Sequence, residues 1–148
     1  MNKALLTLSF CLFLISSSFA QLSKTLHQNF PLEGFAELQV DVFGGQYEVE
    51  KWAGNTILTE TVIEIFDASP AIFKHFLEAG RYELEGLADE KSFKLTSKDM
   101  QRKPIRSKNG ECYEFVKIRL YIPEDFESAG ENTYSRPIEE EATADGGQ

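Results

Sequence analysis

From Phe35 onward, apolar and polar side chains alternate. Leu38, Val40 and Val42 are interleaved with Glu37, Gln39 and Asp41. That period of two predicts a strand with one dry and one wet face. Gly44-Gly45 interrupts the pattern, and a glycine pair there suits a tight turn needing positive φ. Tyr47 and Val49 then alternate with Gln46, Glu48 and Glu50. Trp52 falls on the opposite parity, so it lies either on the wet face or past a bulge. Gly54-Asn55 predicts the next turn. Thr56–Phe66 is rich in β-branched residues and sets Ile57, Ile63 and Ile65 in one row.

The period changes once. Ser69-Pro70 reads as an N-cap followed by proline at the first helical position, where its missing N–H costs nothing. Ile72, Phe73, Phe76 and Leu77 fall on one face by 3.6-residue spacing. Lys74 and Glu78 sit on the other face, and Gly80 is a stop signal. The alternation predicts further strands at Arg81–Glu85, with Tyr82 and Leu84 inward, and at Ser92–Thr96, with Phe93 and Leu95 inward. Residues 97–111 are polar, contain Pro104 and Asn109-Gly110, and read as a long loop. Tyr113–Ile122 carries the strongest alternation. Val116, Ile118, Leu120 and Ile122 form its dry face, Phe115, Lys117, Arg119 and Tyr121 its other face, and Pro123 ends it.

The predicted fold is therefore mainly β: a single domain of alternating strands, solenoid-like or sandwich-like, with one short helix near 70–79. Its bounds are 35–126. Residues 21–34 read as an irregular leader with a turn at Pro31 and Gly34. Residues 127–148 show neither period and read as an acidic disordered tail; the alternative is that Asn132–Ile138 adds a final strand to an open sheet edge, with Tyr134 packed. After Phe126 the only large apolar residues there are Tyr134 and Ile138, too few to offset the entropy of ordering the segment.

Residues 1–20 belong to a different class. Lys3 precedes an apolar run, Ala4–Ile15, and small residues stand at Ser18 and Ala20. This is the tripartite pattern of a secretory signal peptide, with cleavage expected between Ala20 and Gln21. The run is too short to span a bilayer, and nothing after it is long and apolar enough to do so. The expected destination is the periplasm or the cell surface.

Cleavage leaves 128 residues, enough for one core, with 14 basic and 24 acidic side chains. Such an excess of acid argues against a nucleic-acid partner, which would call for accumulated cations. Cys11 leaves with the signal, so Cys112 has no intramolecular partner for a disulfide.

The run Phe43-Gly44-Gly45-Gln46-Tyr47-Glu48-Val49-Glu50-Lys51-Trp52, a short turn, and then Thr56–Phe66 resembles the opening of the DUF4097-type adhesin domains of exported bacterial proteins. Val116–Pro123 resembles that family's later strand ending in proline. Together these segments span about residues 35–126. The resemblance implies a β-rich, solenoid-like envelope or surface module without known catalysis. The chain departs from it after Glu131-Asn132-Thr133-Tyr134, where stacked repeats are expected and an acidic stretch stands instead.

Candidate chemistry is sparse. His75 and Glu78 form H-x-x-E on the polar helix face, but zinc needs three or four protein ligands, and the other histidine, His27, lies in the leader. Exposed helix polarity is the simpler reading. Cys112 shares parity with Val116 and reads as a buried thiol rather than a nucleophile. Lys98, Arg102, Lys103, Arg106 and Lys108 form the one basic cluster, either a docking site for an anionic partner or a solvated loop. Glu139-Glu140-Glu141 lacks the alternate oxygen spacing of a calcium loop. Tyr47, Trp52, Tyr113 and Tyr121 are candidates for a sugar-stacking face or for plain sheet packing. No phosphate-cradling glycine loop, Ser/His/Asp arrangement or paired-cysteine spacing is present.

No catalytic, cofactor or metal residue is therefore assigned, and the expected function is a non-catalytic, adhesin-like module binding a protein or a surface glycan. Two alternatives stand beside it. One is a remnant of a longer adhesin-like protein. The other is a small secreted hydrolase or metal-dependent enzyme built on His75, Glu78 or scattered carboxylates.

Overall fold

The computed structural model describes residues 21–137. Residues 1–20 and 138–148, which carry the expected signal peptide and the end of the acidic tail, lie outside the described residues. The strands are β1 Leu22–Pro31, β2 Glu37–Asp41, β3 Glu48–Trp52, β4 Thr56–Phe66, β5 Leu84–Asp89, β6 Ser92–Ser97, β7 Arg106–Ser107, β8 Gly110–Glu111, β9 Tyr113–Pro123, β10 Glu127–Gly130 and β11 Thr133–Ser135. One helix, α1, spans Pro70–Glu78, and a 3-10 turn spans Phe43–Gly45.

One sheet has the order β1-β4-β9-β3, a second the order β10-β11-β2-β6-β5, and β7 and β8 form a separate hairpin. The pairs β3/β9 and β2/β6 are parallel; the others are antiparallel. The dry row of β9 (Ile118, Leu120, Ile122) shares one buried cluster with Leu38 and Val40 of β2 and with Phe93 and Leu95 of β6. The two sheets thus enclose a common core, and the mainly β fold is sandwich-like.

A smaller core lies under the helix, where Phe73 packs with Ile63, Ile65, Tyr82, Ile105 and Cys112. Ser69 caps this helix by accepting a hydrogen bond from the Ile72 N–H at 3.3 Å. At the other end, Arg81 N–H donates to Phe76 O and Gly80 N–H to Leu77 O, both at 3.1 Å. That is a Schellman closure, with Gly80 at φ 73° supplying the left-handed residue. The closure holds Arg81–Glu83 in a turn, so β5 begins at Leu84 rather than at Arg81. Tyr82 and Leu84 are nevertheless both buried, as their parity requires.

Three expectations are corrected. The leader is not irregular: residues 22–31 form β1, paired along its length with β4. Its inward row is Leu22, Lys24, Leu26, Gln28 and Phe30, so polar residues break the apolar alternation. Gln28 is no defect, because its side chain accepts from Leu84 N at 2.8 Å and donates to Leu84 O at 2.9 Å.

The tail is not disordered from residue 127. β10 and β11 extend the second sheet, with Tyr134 in register with Leu38 and packed against the core. Arg136 fastens this end. It donates to Phe35 O at 2.8 Å and Leu32 O at 2.6 Å, pairs with Asp125 at 3.1 Å, and lies over the Phe126 ring.

The polar stretch 97–111 contains the β7/β8 hairpin and buries Ile105, whose carbonyl receives the Cys112 N–H at 2.8 Å.

Candidate functional site

A charge cluster sits at the start of β9. Glu114 has the parity of Val116 and Ile118, so its carboxylate points to the inner side of the sheet. A carboxylate there requires compensation. Arg81, 5% exposed, supplies it. Its Nε donates to Glu114 Oε1 at 2.8 Å and its Nη2 to Oε2 at 2.7 Å, a bidentate fork. The Tyr82 hydroxyl donates to Oε1 at 2.6 Å. Lys103 O accepts from Arg81 Nη2 at 2.8 Å, and Asp99 stands 3.7 Å from Nη1. Burial alone would raise the Glu114 carboxyl; the hydrogen bonds from Arg81 and Tyr82 together outweigh it and hold the group below its ordinary value. Tyr82 is pushed up, first by burial and then by its bond to Glu114.

Arg102 completes the cluster differently. Its guanidinium lies between two rings, 4.7 Å from the Phe43 centroid and 5.3 Å from the Tyr82 centroid. Its Nε and Nη2 are buried and have no acceptor among the described residues. Burial pulls its pKa down, although Glu114 opposes this. Each cation–π contact contributes about 0.5–2 kcal/mol. Each buried donor left without an acceptor costs about 1–3 kcal/mol or more when charged. The two ring contacts therefore offset a cost of the same order.

Beside Arg102 lies a cavity of about 240 Å³, bordered by Phe43, Gly44, Gln46, Glu114, Val116 and Ile118. A second of about 440 Å³ continues it along Tyr47, Glu48 and Phe115, sharing Gln46, Val116 and Ile118. Both follow one edge of β9. On the opposite edge β4 pairs with Tyr113–Tyr121, whereas β3 begins pairing only at Arg119. The edge from Glu114 to Ile118 therefore has no strand beside it among the described residues. Gly44 and Gly45, at φ 78° and 66°, turn the chain away from this edge before β3 begins.

The outer face of the same sheet carries Tyr113 and Phe115, 67% and 64% exposed. Further along the row, Arg119 is surrounded by Glu48, Glu50 and Glu60 at 3.3–3.4 Å, and Lys117 pairs with Glu48 at 2.9 Å.

The residues singled out from sequence are mostly not brought together. His75 stacks edge-on against Phe76 at 5.2 Å, and Glu78 pairs with Lys74 at 3.7 Å. His27 lies in β1, 3.4 Å from Glu60. Among the described residues, no group of three or more His, Cys, Asp or Glu side chains could hold a metal ion. Cys112 is buried, with its thiol donating to Asp67 O at 3.3 Å.

The basic residues diverge. Lys98 pairs with Glu83 at 2.9 Å, Arg102 turns inward, Lys103 gives its carbonyl to Arg81, Arg106 lies in β7, and Lys108 stands in the turn between β7 and β8. Of the four aromatics, Tyr113 and Tyr121 share the outer row of β9. Tyr47 packs on the core, with its hydroxyl donating to Asn132 at 2.8 Å. Trp52 keeps the continuous β3/β9 register without a bulge, folds over Gly54, and donates to Thr56 O at 2.9 Å.

Sequence reading passed over Arg81, Tyr82 and Glu114 as a group. The available signal was Glu114 itself, an acid on the dry parity of the most apolar strand.

Among the described residues no helix is long and apolar enough to cross a membrane. Comparison with family models, with curated proteins and with solved structures gave no match for this chain.

Proposed function

We propose that this chain is an exported, non-catalytic envelope or cell-surface module that binds a partner through the outer face of the β1-β4-β9-β3 sheet. The observation that carries the reading is the pair Tyr113 and Phe115. They are two residues apart on one face, and both leave most of their ring in solvent. Large aromatics exposed side by side on a rigid sheet are the residues that supply contact energy at little entropic cost. The charged row that follows them supplies a polar rim. The resemblance of Phe43–Phe66 and Val116–Pro123 to adhesin-type domains supports the same reading, and Met1–Ala20 supports export.

The test has two parts. Secreted or periplasmic material should begin at Gln21 by N-terminal mass spectrometry. The purified mature chain should co-sediment with isolated cell envelopes, and a Tyr113→Ser/Phe115→Ser double variant of unchanged melting temperature should lose most of that binding. Absence of the chain from the exported fractions would overturn the export part, and an intact Met1 there would overturn cleavage after Ala20. Equal sedimentation of the double variant and the parent would overturn the binding face.

A further inference from the structure

Arg81 and Arg102 stand at the same cluster and use the same pair of guanidinium donors differently. Arg81 directs Nε and Nη2 at the two oxygens of Glu114. On Arg102 the equivalent Nε and Nη2 have no acceptor among the described residues. These two N–H groups point in parallel, a spacing that matches the oxygens of one carboxylate. Glu114 is already committed to Arg81 and Tyr82, and Asp99 lies beside Arg81. Arg102 is thus the cation of the cluster whose fork is unmatched. Beside it runs the bare edge of β9 from Glu114 to Ile118, with its two adjoining cavities.

We propose that this edge accepts an extended acidic peptide of another protein, which adds as a strand beside Glu114–Ile118 and places one Asp or Glu carboxylate on the Arg102 fork. Main-chain bonds to the edge give affinity, and the fork selects the acidic side chain. Val116 and Ile118 line the groove for the peptide's apolar residues. Phe43, on the Gly44-Gly45 turn and 39% exposed, has its ring centroid 4.7 Å from the Arg102 guanidinium and moves aside when the carboxylate enters. This inference rests on the reading of the chain as a binding module and names the chemistry of its partner.

The experiment is selection of a random decapeptide library, displayed on phage, against the purified mature chain, followed by binding and NMR with the best enriched peptide. The expected result is enrichment of one Asp or Glu flanked by β-branched residues. Changing that acid to its amide should weaken binding about tenfold, and so should Arg102→Lys, which keeps the charge and loses the fork. A single proline in the peptide centre should abolish binding, because strand addition needs the N–H groups. Phe43→Ala should tighten binding. Bound peptide should shift the Arg102 Nε–H resonance and protect amides within Glu114–Ile118.

The peptide arm needs no protein variant, so a poorly folding Arg102→Lys would not leave the idea standing by default. Four outcomes would overturn it: no enrichment, equal binding of the acid and amide peptides, shifts confined to Arg102 without β9 protection, or self-association of the chain through this edge. Should any of them occur while envelope binding still depends on Tyr113 and Phe115, only the peptide assignment fails.

Discussion

The side-chain amide of Gln28 hydrogen-bonds both backbone groups of Leu84, at 2.8 and 2.9 Å, and so joins β1 of one sheet to the start of β5 in the other. The carboxamide presents its oxygen and one of its two N–H groups on the same side, as a paired strand residue presents its C=O and N–H, and here it stands in for a missing strand partner. Gln28→Ala would leave a buried N–H and C=O without partners. The expected loss is about 1–3 kcal/mol, read as a lower urea midpoint at unchanged slope. An unchanged midpoint would mean that water replaces the amide without cost.

The C-terminal strands should contribute to stability. Truncation after Phe126 removes β10, β11, the Tyr134 ring and the Arg136 ties, and bares the edge of β2. The melting temperature should fall by at least about 5 °C. Hydrogen exchange at Thr133–Ser135 should be slow in the full chain. Rapid exchange there, together with an unaffected truncated form, would show that β11 adds nothing to the fold.

Acid should weaken the Arg81–Glu114–Tyr82 network. The native Glu114 carboxyl is held below its ordinary value of 4.5, so its contribution is complete above that value. It is lost as pH falls through the depressed native value, where the folded carboxylate finally takes up a proton. Glu114→Gln should therefore be less stable than the parent at neutral pH, and its stability should vary less between about pH 5 and about pH 3. Parallel stability curves for the two proteins across that range would contradict the assignment.

Cys112 is a packing residue whose thiol donates to Asp67 O at 3.3 Å. Serine keeps a donor at that position but places a more polar atom among Ile63, Ile65 and Ile105. Cys112→Ser should cost about 1–3 kcal/mol and leave partner binding intact. The native thiol should react with a bulky disulfide reagent only as fast as the protein unfolds. Fast labelling of the folded chain would place the sulfur at the surface.

Strands with an unbroken dry row were legible. The β-branched row of β4, Phe93 and Leu95 of β6, and Val116–Ile122 of β9 all bury the faces that their parity assigns. The cap at Ser69 and the stop at Gly80 fix α1 for the same local reasons. What escaped was built from side chains that act across long sequence separations. β1 hides because Lys24 and Gln28 occupy its inward row, and the value of Gln28 depends on Leu84. β11 hides because one aromatic ring is a weak signal, whereas its pairing with β2 and the Arg136 ties to Leu32 and Phe35 are backbone contacts with distant residues. The fork at Glu114 joins residues 33 apart in sequence, and no local period reports such a partner.

The position of β9 has a consequence for the order of events during synthesis. It lies between β4 and β3, yet it is the last of the four strands of its sheet to leave the ribosome. Until Pro123 has emerged, β3 has no neighbour in that sheet, and the row Ile118, Leu120 and Ile122 is missing from the core. β2 likewise waits for β6 on one side and for β11 on the other. Distant parallel pairings of this kind close slowly, because loop entropy is spent before contacts are gained. The nascent chain should therefore stay without a stable sandwich until the strands through β11 have emerged. The export proposed above would draw on this order, since a chain that folds late stays extended enough to be threaded through a narrow channel.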